Sequence, residues 1–482
     1  MVNKQLINYI HDRLRAKETK DVIVQSLREV GWEEGEITKS FAVIERSSRK
    51  WIRYIKIGFS SIFATALLLY ILPIILGLFV KDNPPSLYSD LALKTVSVTA
   101  SENMYYDLTH LGLTTPAMIA QHAVNIVPVR ATSEQTAQVV SILSGKTAWN
   151  DNLANTLIAE NTAVFSIIDQ AAQKQKFQIP QFSTPATITI NTPQYLIQGV
   201  SDAFRMNDLR ILYFAHHHDA VDAMRIAQEQ IAIGHAIQTS QSDAISILDG
   251  IMIEREGLQM FQQSASLLPI SSSQSRQITQ QLEQYAGDTM KSVGEAEKIE
   301  FQIWSSALTS VSTRKEVSTT ISNGWYFPLR SIDINYYFQP NKTIKMLAAY
   351  YRQAIHYAQQ SCATDYVSNA AHPTYRIPLA DLITRDNIVG DTLYKKVRLA
   401  FSREMSEKIC EENLVMQEGE ATAGIAAYKN MVGSYPKTLA QLVPTYLPSI
   451  PQDSFTGKAL QYNAKNGQVY SPMDSTIKQI GF

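Results

Sequence analysis

Twenty-four consecutive residues, Ile57 to Val80, carry no charge: IGFSSIFATALLLYILPIILGLFV. At about 1.5 Å rise per residue such a run reaches roughly 36 Å as a helix, against a hydrocarbon core of about 30 Å. The sequence therefore predicts one transmembrane helix, with Pro73 as a tolerated kink. The run starts too late and is too long for a cleavable signal peptide. Arg46, Arg49, Lys50, Arg53 and Lys56 precede it, whereas only Lys81 and Lys94 follow closely. By the positive-inside rule the N-terminus lies in the cytoplasm and the large C-terminal part outside. The expected localisation is the bacterial cytoplasmic (inner) membrane, single-pass, with the lipid bilayer as a partner.

The rest of the chain is read around that run. The expected class is mainly α. It comprises a cytoplasmic helical head at 1–48 and a transmembrane helix with its basic flank at 49–81. An extracytoplasmic helical bundle or irregular α-solenoid follows at 82–420, then a small α+β segment with a short hairpin at 421–482. In the head, Leu6, Ile7, Ile10 and Leu14 form one apolar stripe. Val22, Ile23, Leu27 and Val30 form a second, and Ile37, Phe41 and Ile44 a third. Thr19 and Asp21 suit a helix start and Gly31 a helix stop. The run around Val30-Gly31-Trp32 resembles a small module of ubiquitin-associated-like shape. Two readings stay open for it, a docking module and a cap that orients the following helix.

From residue 82 onward, helical periodicity covers 133–146, 151–174, 201–238, 241–267, 272–313, 341–360 and 391–432. One strand candidate is 186–190. The 482 residues hold 43 Lys/Arg against 44 Asp/Glu, a balance that argues against a nucleic-acid-coating protein. Two cysteines exclude a disulfide-dense scaffold. Cys362 and Cys410 are hypothesised to pair. Their bridge would close a 48-residue separation, worth about 4 kcal/mol in the chain-entropy model.

The most eye-catching polar cluster is His216-His217-His218-Asp219 with Asp222. On a continuous helix His218 and Asp222 would share a face, making them weak metal-ligand candidates, with His235 joining from a neighbouring helix. Three successive histidines, however, point in three directions, and packed structural histidines explain them as well. Serine-nucleophile, phosphate-loop and His-Glu-x-x-His motifs are absent from the sequence. No catalytic residue, cofactor or metal is therefore expected, and the chain is read as a non-enzyme. Glu254 and Glu256 flank Arg255 on what reads as a solvated face. The aromatic stretches Trp325-Tyr326-Phe327, Tyr336-Tyr337-Phe338 and Tyr350-Tyr351 suit either a core or a groove for glycan or peptide.

Two resemblances bear on function. Ala159-Glu160-Asn161, Lys176 to Pro180, Asp208 to Leu212 and Phe338 to Thr343 follow an order that resembles an uncharacterised family of single-pass, membrane-anchored bacterial proteins. The segment Gly433-Ser434-Tyr435-Pro436, Leu439, Leu442, Pro451-Gln452-Asp453 through Gly457 and the hairpin at Asn466-Gly467 is more specific. It resembles the C-terminal region of type II secretion major pseudopilins. The departures are an absent processing site, with Phe63 where a Glu belongs, and a tail with one carboxylate, Asp474. A calcium site takes six to eight oxygens. The resemblance implies a structural or interaction protein of the cell envelope, scaffolding a secretion or type IV pilus-related assembly. An extracytoplasmic ligand-binding receptor is the alternative, and an envelope hydrolase ranks third. Protein partners in the envelope are expected, and a homo-oligomer is compatible with the sequence.

Overall fold

The computed structural model describes residues 3–79, 81–83, 88–113, 124–184, 188, 198–265, 267–309, 338–358, 362, 386–400 and 402–472. Two compact units result. One is built on residues 1–81, the other on 82–318 and the described parts of 337–378 and 387–482.

In the first unit, α1 (Lys4–Arg15) starts at Asn3, whose side chain accepts from the Gln5 amide at 2.9 Å. Helix α2 (Lys20–Glu29) starts after Thr19 and stops where Gly31 takes φ 95°. The amide of Trp32 then donates back to the Leu27 carbonyl, closing the C-terminal turn. Helix α3 (Glu34–Phe79) follows at once. Leu6, Ile10, Ile23, Leu27, Ile37 and Phe41 from the three stripes meet in one small core.

The expected transmembrane helix is corrected here. Among the described residues no helix is long and apolar enough to cross a membrane. Residues 57–79 lie inside a single 46-residue helix, α3, whose N-terminal half is strongly charged. Several side chains of 57–80, Pro73 among them, fall outside the described residues. The single-pass topology and the inner-membrane localisation rested on that span and are withdrawn with it.

The second unit is mainly helical. Its described helices are α4 (Tyr105–Thr109), α5 (Ser133–Leu143), α6 (Asp151–Glu160), α7 (Thr162–Ala172), α8 (Gln198–His216) and α9 (Ala220–Gln238). They continue with α10 (Ala244–Ala265), α11 (Ser272–Thr309), α12 (Pro340–Ala358), α13 (Ile388–Ala400) and α14 (Ser402–Val432). Helix α10 is central and packs on α8, α9 and α14, while α11 packs on α12 and α14. The main core runs from Ile211 and Met224 through Phe261 and Leu282 to Ile425 and Leu447.

Two helices read as continuous are broken, each by a polar side chain. The 151–174 stretch breaks at Asn161, which is buried. Its amide donates to the Arg130 carbonyl at 2.9 Å and its oxygen accepts from the Arg130 amide at 2.7 Å. That pairing holds a neighbouring backbone segment in place of the next helical turn. The 201–238 stretch breaks at His217–Asp219, where His218 takes φ 60° and Asp219 accepts from the Asp222 amide at 3.1 Å as the N-cap of α9. The strand candidate 186–190 lies outside the described residues except for Ile188, which is buried.

The C-terminal segment leaves α14 through Gly433 (φ 78°) and a short 3-10 turn, Leu439–Leu442. It ends in an antiparallel hairpin, β1 (Gln461–Asn463) and β2 (Gln468–Tyr470), with Tyr462 opposite Val469. Leu447 fills the space that Gly424 leaves on α14; a Cβ there would sit 2.8 Å from its Cγ. Ser275 and Arg276 of α11 donate to the carbonyls of Tyr446 and Thr445.

Asp453 organises this segment. It is fully buried, its Oδ1 accepts from the amides of Phe455 and Thr456 at 2.8 Å each, and its Oδ2 accepts from the Ser471 hydroxyl. One carboxylate thus ties the 453–457 turn to the end of β2. Asp453→Ala leaves those donors unpaired and is expected to cost about 3 kcal/mol. It is also expected to speed amide exchange across 451–471 selectively. Unchanged exchange there would refute the role.

The structure joins Cys362 to Cys410 in a disulfide across 48 residues. The bridge ties the N-terminal end of α14 to the chain beyond α12.

Candidate functional site

The histidine cluster does not converge. His218 sits in the turn between α8 and α9, and Asp222 in the first turn of α9 is paired to Arg225 at 2.9 Å. His216 stacks on Trp149, with ring centroids 4.3 Å apart, and its burial lowers its pKa. The Nδ1 of His217 donates to the Tyr213 carbonyl at 2.8 Å. His235 lies near the C-terminal end of α9, in the bundle interior. Among the described residues no group of three His, Cys, Asp or Glu side chains is placed to hold a metal ion. The stretch Trp325-Tyr326-Phe327 and residues Tyr336 and Tyr337 lie outside the described residues. Phe338 and Tyr351 are buried core, and Tyr350 meets Tyr351 and Tyr394 edge to face.

Sequence reasoning missed a buried acidic layer. Its origin is a close helix crossing. A Cβ on Gly234 would lie 2.4 Å from the Glu254 amide nitrogen, and one on Gly250 would lie 2.7 Å from the Gly234 carbonyl oxygen. Only glycines allow α9 and α10 to approach so closely. The crossing presses His235 and Gln238 of α9 against Glu254 of α10. Gln238 donates its amide to Glu254 Oε2, and His235 Nδ1 stands 3.7 Å from Glu254 Oε1. The His235 ring stacks on Tyr285 of α11 at 3.7 Å. Across the next interface, Arg255 donates to Glu412 at 3.1 Å and to Glu411 at 3.3 Å. Far from being a solvated face, Glu254 is 0% exposed and Glu412 likewise.

Burial sets the protonation of this layer. It pushes the Glu254 carboxyl well above its ordinary range, and the nearby Glu412 adds to the shift. Glu412 rises to about 7 by burial, against the pull of Arg255. Burial raises Glu297 and Glu420 to about 8, each helped by a neighbouring carboxylate, Glu300 and Glu283. Burial lowers His235 to about 4, against Asp288. The oxygens Glu254 Oε1 and Glu412 Oε1 have no hydrogen-bond partner, which favours the protonated acids. The layer is shut inside helix interfaces and offers a substrate no approach. What it can do is couple folding to pH.

An open groove lies elsewhere, between the end of α10, the end of α14 and the hairpin. Its volume is about 1280 Å³, above the roughly 300–1,000 Å³ usual for a small-molecule site. Among the described residues its lining contains no carboxylate and one cation, Lys429. That ammonium is engaged, 3.1 Å from the Tyr435 hydroxyl and 4.4 Å over the Tyr435 ring. Gly467 (φ 76°) closes the hairpin against the same ring; a Cβ there would lie 2.3 Å from Tyr435 Cε1. The wall between hairpin and helix is thereby fixed. The other polar lining is mostly side-chain amide, including Gln262, Gln263, Asn430 and Gln468.

No protein family, curated protein or solved structure matches this chain.

Proposed function

We propose that this protein works by binding, as an interaction protein that receives an uncharged polar ligand in the groove between α10, α14 and the hairpin. The groove itself carries the reading. It is large, its described lining is polar with one charged side chain, and its walls are fixed by the Asp453 and Tyr435 contacts. The buried acids, by contrast, lie where no substrate reaches them. The pseudopilin-like order of the C-terminal segment is consistent with an assembly role, since that segment supplies one wall.

The test is site-specific photo-crosslinking in native cells. A benzophenone amino acid at Gln468, on the exposed rim of the groove, is compared with one at Glu134, exposed on α5. A discrete adduct from position 468 and none from 134 supports the reading. Equal or absent labelling at the two positions overturns it.

A further inference from the structure

The donors and acceptors of the groove specify its ligand more closely. This step rests on the binding reading above. Three amide side chains of the lining are each anchored through their NH2 group to a backbone carbonyl. Gln262 donates to Val415 at 3.2 Å, Gln263 to Leu143 at 3.1 Å and Asn430 to Ile270 at 3.3 Å. Because a carbonyl can only accept, these contacts fix which end of each amide is nitrogen. Each anchored amide keeps its carbonyl oxygen as an acceptor and one N–H as a donor, in one plane. That pair matches two neighbouring hydroxyl groups, one donating to the oxygen and one accepting from the nitrogen.

The remaining features agree. A carboxylate or phosphate ligand would find no free cation, because the one lysine of the described lining is held on Tyr435. An ammonium ligand would find no carboxylate among the described lining residues. Tyr470, 37% exposed at the end of β2, offers a ring edge and face to an apolar C–H surface. The volume asks for several linked units rather than one. We infer that the groove binds a neutral oligosaccharide, with the anchored amides of Gln262, Gln263 and Asn430 reading hydroxyl pairs and Tyr470 packing against a sugar ring.

The 482-residue chain is applied to an array of neutral oligosaccharides that includes chitotetraose, cellotetraose, xylotetraose and maltotetraose. Hits are titrated calorimetrically. Gln263 and Tyr470 are exposed, so Gln263→Ala and Tyr470→Ala are expected to keep the fold, checked by circular dichroism. The expected result is saturable binding of at least one saccharide, weakened at least tenfold in either variant. Asn430→Asp, which adds a charge at constant size, serves as a second probe with the same expected loss. Absence of saccharide binding overturns the inference, as does binding that all three variants leave intact. In that event the crosslink from position 468 decides separately whether the groove binds something else, such as a peptide, or whether the binding reading falls too.

Discussion

The protein is expected to be most stable below about pH 5 and to melt at progressively lower temperature as the pH rises to 8. Six carboxyls, three buried and three half-buried, have raised values in the fold: Asp249, Glu256, Glu300 and Glu412 at about 7, Glu297 and Glu420 at about 8. In the unfolded chain such groups ionise near their ordinary values, about 4–4.5. Between those limits the native state holds more protons than the unfolded state, so stability falls as pH rises. Below about pH 4.5 both states are protonated and the penalty vanishes. His235, lowered to about 4, works in the opposite sense, because the unfolded histidine takes up a proton below its ordinary value of about 6.5. His216, also lowered by burial, acts in the same sense as His235, and these two against six carboxyls leave the net slope negative above pH 6. For Glu420 alone the largest penalty at pH 8 is about 4–5 kcal/mol, from a shift of about 3.5 pH units at about 1.4 kcal/mol each. Glu420→Gln should therefore stabilise at pH 8 and change little at pH 5. Thermal denaturation followed by circular dichroism from pH 5 to 8.5 checks both. A melting temperature that is flat or rises towards pH 8.5 would contradict the buried-acid account.

What the sequence made legible divides along a physical line. Local signals were readable. Two residues of each apolar stripe of residues 1–44 do form one core, although Leu14, Val22 and Val30 stay exposed; Gly31 does end a helix, and Asn466-Gly467 does sit in the hairpin turn, because each is decided by neighbours in the chain. Helix breaks at Asn161 and His218 were less legible, because periodicity continues through both. Their cause is a side chain reaching to Arg130 in one case and an N-cap in the other. The membrane span read from 57–80 did not stand, since among the described residues no helix is long and apolar enough to cross a membrane. The buried acids were invisible for a different reason. Glu254, Arg255 and Glu256 look like an exposed charged face until α9 and α14 cover them, and nothing within α10 announces that cover. A usable signal did exist: Gly234 and Gly250 stand on successive helices, and small residues on facing helices let backbones meet. The groove had no comparable trace, since its walls come from segments far apart in sequence.

Gly234→Leu is expected to prevent the second unit from folding, and Gly234→Ala to cost more than about 3 kcal/mol. At the α9–α10 crossing even a Cβ would lie 2.4 Å from the Glu254 nitrogen and 2.7 Å from the Gly250 carbonyl oxygen. Those are backbone atoms, which no rotamer change can move aside. The helices must separate instead, and α10 is the helix on which α8, α9 and α14 pack. Gly287 provides the internal control. It is exposed on α11, and a Cβ added there would meet nothing within 4 Å, so Gly287→Ala should stabilise by about 0.5–1 kcal/mol through helix propensity. Chemical denaturation of both alanine variants separates close packing from propensity, and equal effects would refute the crossing argument. The two large predictions are also linked. The glycine pair is what presses His235 and Gln238 onto Glu254 and seals it from water. In any Gly234→Ala protein that still folds, water admitted at the crossing should return Glu254 towards its ordinary value, so the fall in stability from pH 6 to pH 8 should be shallower than in the parent. A slope as steep as the parent's would mean that the acids owe their protonation to something other than this crossing.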